Sequence, residues 1–253
     1  MRRFTPFIFF LLISCPGFAQ WQVAISAQPG KISIIDKDFS SMSFSAIVPG
    51  VGLSGKYEGA HSTHELSLSW LGGSLKTGTM PRYSLNQHYF NADYTWLYKL
   101  GSHDDAWTGG AGGALQVLYD KRTYADVINN NASFDFAASL GLAGSLSYSF
   151  NKNNGLPGWS LSDQLGIPVL SWLVQPPYGD ESSAASLTGT DNRKKMAGFS
   201  SFFRLKNTMS LDRQLSSHGA LSLAYTWDYY KIDDLREVRQ ASHRLSLIYR
   251  LTF

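Results

Sequence analysis

Along the stretch HRLSLIYRLTF that ends at residue 253, every second residue is apolar or aromatic: Leu245, Leu247, Tyr249, Leu251 and Phe253. Between them stand Arg244, Ser246, Ile248, Arg250 and Thr252. Period-two alternation marks a β-strand whose two faces meet different environments. In a soluble sheet the apolar face covers a core. In a transmembrane barrel it faces lipid, and the other face lines a polar lumen.

The same pattern recurs through the chain. ALSLAYTWDYY (220–230) sets Leu221, Leu223, Tyr225, Trp227 and Tyr229 against Ser222, Ala224, Thr226 and Asp228. FFRLKNTMSL (202–211) and SFDFAASLGLAGSLSYSF (133–150) alternate likewise, as do segments 107–119, 89–100, 64–70 and 51–59. In WSLSDQLGIPVLSWLV (159–174) the apolar parity switches midway, and Pro168 cannot donate to a ladder. A bulge near Gly166–Pro168 is expected there. Nine strands start near residues 42, 63, 84, 106, 132, 157, 196, 216 and 242. A closed bacterial barrel has an even number. A partner within 21–35 makes ten antiparallel strands. The alternative is eight, with the amino-terminal segment in the lumen or the periplasm. Connections near 60–63, 101–105, 151–156 and 212–217 are short. Those near 74–83, 120–131, 176–195 and 231–240 are longer and polar, the asymmetry of periplasmic turns and extracellular loops.

The opening MRRFTPFIFFLLISCPGFAQ changes how composition is read. Arg2 and Arg3, a short apolar run and the small residues at 17–19 make a secretory signal peptide, with cleavage before Gln20. LISC at 12–15 also resembles a lipobox, which would make Cys15 a lipidated terminus. The expected domains are a signal peptide at 1–19 and a barrel at 20–253. Removing Arg2 and Arg3 from 22 basic residues leaves 20 against 19 acidic, a net charge of +1 rather than +3. Nothing in that balance points to nucleic acid. Cys15 is the only cysteine, so the mature chain has no disulfide, zinc–thiolate site or cysteine nucleophile.

Parity assigns Glu65, Asp93, Lys99, Asp135, Arg204, Lys206, Asp228, Arg244 and Arg250 to the lumen. Both signs are present, and in a narrow interior they must pair. Arg244 and Arg250 lie roughly 20 Å apart along one strand and form separate ion-pair sites. Asp228 is a candidate partner for one of them. Of the histidines, His61, His103 and His218 fall in short turns. His64, His88 and His243 share parity with lipid-facing neighbours. HSTHE (61–65) has no nucleophile motif around it. Two aromatic girdles are expected. Tyr98, Trp107, Tyr148, Phe150, Trp159, Tyr249 and Phe253 form the periplasmic one. Phe90, Tyr119, Phe134, Trp227 and Tyr229 form the outer one.

The alternating final strand with Leu247, Tyr249, Leu251 and Phe253 resembles the insertion signal of Gram-negative outer-membrane β-barrel proteins. The aromatic load and the FAQ cleavage region resemble small barrels of Bacteroidota-type bacteria. That resemblance implies an outer-membrane location, contact with outer-membrane lipids, and the barrel-assembly machinery as a partner during insertion. The expected role is structural or interactive, with a polar ion-paired lumen, no cofactor, no metal and no catalysis. The alternative is a small pore or ligand-binding barrel. A third reading is a barrel enzyme acting on lipid or peptide.

Overall fold

The computed structural model describes residues 20–37, 40–78, 83–101, 106–124, 132–150, 158–175, 193–233 and 237–253. The expected signal peptide, Cys15 and His103 lie outside them. The strands are β1 Gln20–Ala27, β2 Gly30–Asp36, β3 Ser40–Val48, β4 Gly50–Glu58, β5 Ser62–Thr77, β6 Ser84–Leu100 and β7 Trp107–Tyr124. They continue with β8 Ala132–Ser149, β9 Trp159–Gln175, β10 Arg193–Ala197, β11 Phe202–Gln214, β12 Gly219–Asp233 and β13 Glu237–Thr252.

These segments make ten staves of a closed antiparallel barrel, because three staves are interrupted. β1 and β2 form one stave broken at Pro29, and β3 and β4 another broken at Pro49. Ala27 faces Val51 and Gly30 faces Val48, so the two prolines occupy facing positions in an unchanged register. Neither can donate to a ladder, but each carbonyl still accepts: Leu245 N donates to Pro29 O at 3.1 Å and Gly72 N to Pro49 O at 3.2 Å. β10 and β11 form the third interrupted stave, broken by a turn in which Phe202 N donates to Gly198 O. The first stave closes the barrel against β13, β1 through Gln22–Ala27 and β2 through Gly30–Asp36. Closure leaves neither of these strands as an open edge.

The parity switch in β9 is a bulge. Leu140 of β8 faces Leu170, whereas Gly141 faces Pro168, so Val169 is the extra residue. It sits just past the expected Gly166–Pro168. The connections differ more from expectation. Strands run on through 74–77, 120–124, 231–233 and 237–240, which had read as loop. Only the connection at 176–192, outside the described residues, is long. We call the end bearing the 59–61 and 215–218 turns the base and the opposite end the rim.

What distinguishes the two ends is the phase of the alternation. Near the base, apolar residues point out and polar residues point in. Leu245 to Phe253 on β13 and Leu221 to Tyr225 on β12 are exposed, while Ser222, Thr226 and Ser246 are buried. Near the rim the phase inverts. Ile32, Ile34, Leu71, Leu75, Leu85, Ile232 and Val238 point inward and are fully buried. Lys31, Ser74, Asn86 and Arg239 point outward between them. Apolar residues outward suit hydrocarbon, and polar residues outward suit water. The inversion therefore marks where the staves leave the lipid, and the rim end is a water-exposed β-structure with its own apolar core.

Aromatic side chains gather at the base: Trp107 and Tyr148 ring centroids lie 4.7 Å apart, Tyr148 and Phe150 4.9 Å, and Trp21 and Tyr57 4.9 Å. Phe134, expected in the outer girdle, is instead buried beside Tyr119.

Two neighbouring outward positions, Asp163 and Asn207, break the apolar belt. Asp163 is exposed on the lipid face, flanked along β9 by Leu161 and Leu165 and across the sheet by Leu146 and Met209. Its Oδ1 accepts from Asn207 Nδ2 at 2.6 Å. A carboxylate in that setting costs stability. Asp163→Leu should stabilise the folded barrel by on the order of 1 kcal/mol. Leu223→Arg, on the same face, should destabilise it by about 2–4 kcal/mol near the midplane. Urea unfolding in lipid vesicles reads both signs, and equal tolerance of the two changes would mean the faces are misassigned.

Candidate functional site

The lumen is crossed by two buried polar clusters joined by a pair of tyrosines. The first centres on Asp228 of β12. Arg204 of β11 grips it with two donors, Nε to Oδ1 at 3.0 Å and Nη2 to Oδ2 at 2.9 Å. Tyr89 OH donates to Asp228 Oδ2 at 2.9 Å, and Arg244 Nη2 lies 3.6 Å from the same oxygen. Across the lumen on β6, Asn91 Oδ1 accepts from Arg204 Nη2 at 2.8 Å, and Asp93 pairs with Lys206 and with Arg204 at 3.5 Å. Arg244 Nη1 also donates to Ser69 Oγ on β5 at 3.1 Å. Gly30 makes room for this arginine, because a Cβ there would lie 2.9 Å from Arg244 Cγ. In ring order β6 and β12 are five staves apart, so the cluster ties opposite walls together.

The second cluster lies nearer the rim around Arg122 of β7. Its guanidinium pairs with Asp135 and approaches Asp36 at 3.5 Å and Asp120 at 3.8 Å. Gln87 donates to Asp120 at 2.7 Å, Gln175 to Asp135 at 2.9 Å and Tyr124 OH to Asp36 at 3.2 Å. Tyr230 OH donates to Asp120 at 2.6 Å, and its ring stacks on Tyr89 at 6.3 Å between centroids. The two tyrosines therefore link the clusters, one hydroxyl to each. Arg122 and Arg204 are 0% and 1% exposed, so these charges depend on their partners rather than on water.

Toward the base the packing loosens into a polar cup. A cavity of about 140 Å³ is walled by Ser67, Ser69, Thr95, Gln164, Thr226 and Ser246, among others, with Glu65, Lys206 and Arg244 at its edge. Below it, inward side chains keep contact with solvent: Lys56 and Glu58 pair at 2.5 Å with about a third of each side chain exposed. The lumen is thus wet at the base and dry toward the rim.

All nine residues assigned to the lumen by parity have inward positions. The first cluster holds Asp93, Arg204, Lys206, Asp228 and Arg244, and the second holds Asp135. Glu65 borders the cup and makes no hydrogen bond or ion pair among the described residues. Lys99 lies at the base, where Nζ donates to Gly59 O at 2.9 Å. Arg250 pairs with Asp212 at 3.4 Å, well separated from Arg244. Sequence reasoning missed Asp36, Asp120 and Arg122. Asp120 and Arg122 sit in a stretch that reads as loop but continues β7 to Tyr124. Leu247, Tyr249 and Leu251 face outward near the base, and Phe253 N donates to Trp21 O at 2.8 Å.

None of the described histidines enters the lumen. His64 contacts Tyr94 OH at 2.7 Å and Ser62 Oγ at 3.2 Å on the outer wall. The same Tyr–His contact recurs without a serine at Tyr225 and His243, 2.6 Å apart. Among the described residues no three His, Cys, Asp or Glu side chains converge as metal ligands. At the rim, Glu237 accepts from Lys37 at 2.5 Å, which with Arg239 holds its carboxyl below the usual range.

No protein-family model and no curated protein matches the sequence. Solved structures do match in shape. The outer membrane protease OmpT of Escherichia coli aligns over 93% of this chain and 96% of its own, with TM-score 0.57 and 7% identity. The translocator domain of the autotransporter NalP from Neisseria meningitidis aligns over 90% and 88%, with TM-score 0.45 and 9% identity. Ail of Yersinia pestis aligns over 90% and 97%, with TM-score 0.35 and 10% identity. The OmpT likeness establishes a fold and nothing of chemistry. With the closed ten-stave ring and the lipid-facing belt, it makes this chain a β-barrel of the Gram-negative outer-membrane type.

Asp228 is a counter-charge shared by two buried arginines, Arg204 and Arg244. Asp228→Leu should cost about 3–5 kcal/mol, because both guanidinium groups lose their shared counter-charge in a dry interior. Adding Arg204→Met should recover part of that loss. A thermal unfolding curve for Asp228→Leu unchanged from the parent would show that the cluster carries no structural load.

Proposed function

We propose that this chain is a non-catalytic outer-membrane barrel with a closed lumen and a structural or interaction role, oriented with its base in the periplasm. The observation that carries this reading is the dry core at the rim end. Ile32, Ile34, Phe44, Leu71, Leu75 and Leu85 fill the interior there, above two ion clusters that bind opposite walls. No hydrated path fits through side chains that are fully buried. The luminal carboxylates of the two clusters are engaged by arginine, lysine, tyrosine and glutamine, which supports a structural use. The rim end, with staves standing clear of the lipid, supplies the surface for contact with a partner. The apolar belt and the insertion-signal residues support assembly into the outer membrane.

The cup at the base favours a second reading, a barrel that holds a small polar solute on its periplasmic side. Its serines, threonines and glutamine offer donors and acceptors, and Glu65 offers an unengaged carboxylate.

Planar-bilayer recording of the purified barrel tests the main reading. The expected result is no discrete conductance at moderate voltage. Stable single-channel steps would contradict a closed lumen and favour a pore.

A further inference from the structure

On the outer wall, β4 to β7 enclose an apolar groove of about 460 Å³. Val51, Leu53, Leu68, Trp70, Phe90 and Tyr119 frame it, with Ala92 in its floor. These positions belong to the lipid-facing parity. At the rim side of the groove the first outward residues are His88 and Lys121, which face each other across β6 and β7. His88 also stacks on Trp70, with ring centroids 6.1 Å apart and planes inclined by 23°. Gly72 allows that stack, since a Cβ there would lie 2.5 Å from the Trp70 ring. The residues that end the groove are thus packed into a fixed arrangement.

His88 and Lys121 lie where the alternation inverts, at the edge of the apolar belt. Lys31 and Lys231 hold the equivalent place on β2 and β12, and Lys76 stands slightly higher on β5. Lys231 pairs with Asp233 at 2.6 Å. Lys31, Lys76 and Lys121 have no carboxylate partner among the described residues, and no described outward acid lies on β5, β6 or β7 near them. Uncompensated cations at the hydrocarbon boundary meet lipid phosphate. A groove directly below them meets an acyl chain.

We propose that this groove and the His88–Lys121 pair form a binding site for one phosphorylated acyl lipid of the outer leaflet. The acyl chain lies between Val51 and Tyr119. The phosphate is held by Lys121, with His88 as a second donor fixed by Trp70. Both contacts are made by the intact barrel and are independent of whether its lumen conducts.

Native mass spectrometry of the folded barrel tests this, after transfer from micelles doped equally with phosphatidic acid and phosphatidylcholine. One phosphatidic acid should be retained in preference to phosphatidylcholine. Lys121→Gln should weaken its retention about fivefold, the value of one interfacial cation. Ala92→Phe fills the groove with the cations untouched, and should abolish retention. Both variants must keep the heat-modifiable gel shift of the folded barrel. Ser74→Gln, outward on β5 but outside the groove, should change nothing. Equal retention of the two lipids would overturn the proposal, as would indifference to Lys121→Gln or to Ala92→Phe. Displacement of the lipid by millimolar inorganic phosphate would also overturn it, since the site would then be an anion site only.

Discussion

The structure depends on bringing charges across the barrel and meeting each central one with an opposite charge or hydrogen-bond donors. Ten staves alone would enclose a lumen wide enough to hold water. Arg204 and Asp228 prevent that by joining neighbouring staves to each other and, through Asn91 and Asp93, to the opposite wall. Arg122 does the same nearer the rim with Asp36, Asp120 and Asp135. The stacked pair Tyr89–Tyr230 carries one cluster to the other. Buried ion pairs are a weak source of net stability, but a broken one is costly. The clusters therefore specify one arrangement of the walls more than they strengthen it.

The apolar core above the clusters follows from where the membrane stops. Once a stave leaves hydrocarbon, its outward side chains meet water and its inward ones are free to be apolar. Ile32, Leu75, Leu85 and Ile232 use that freedom. The barrel is consequently two environments stacked end to end: a polar, part-hydrated interior within the lipid belt, and a dry core beyond it. The boundary also sets the outward cations, because Lys31 and Lys121 stand at the level where lipid gives way to water.

Much of the fold was legible because strict alternation has one explanation over long runs. Leu221 to Tyr229 and Leu245 to Phe253 gave the faces of their strands directly, and Pro168 with the parity switch announced the bulge now seen at Val169. The rim end was not legible for the opposite reason. In GKISIID (30–36) and in 71–77 the apolar residues sit on the inward phase, and a single-phase reading takes 74–77 for a loop. That is how Asp120 and Arg122, central to one cluster, went unseen while Asp135 was found. Asp163 shows the limit of parity itself. It shares the parity of Trp159, Leu161 and Leu165, and only the geometry reveals Asn207 beside it.

The lumen is wet at the base and dry toward the rim. β5 carries both environments on its inward face, Ser67 in the cup and Leu71 in the core. The only cysteine in the sequence is Cys15, so the refolded 20–253 chain has no thiol of its own. The measurement is the rate at which a hydrophilic maleimide labels Ser67→Cys and Leu71→Cys, each in the folded barrel. Ready labelling is expected at residue 67, and labelling at residue 71 no faster than the barrel unfolds. Comparable rapid labelling at both positions would mean a continuous aqueous lumen, and would contradict a dry rim.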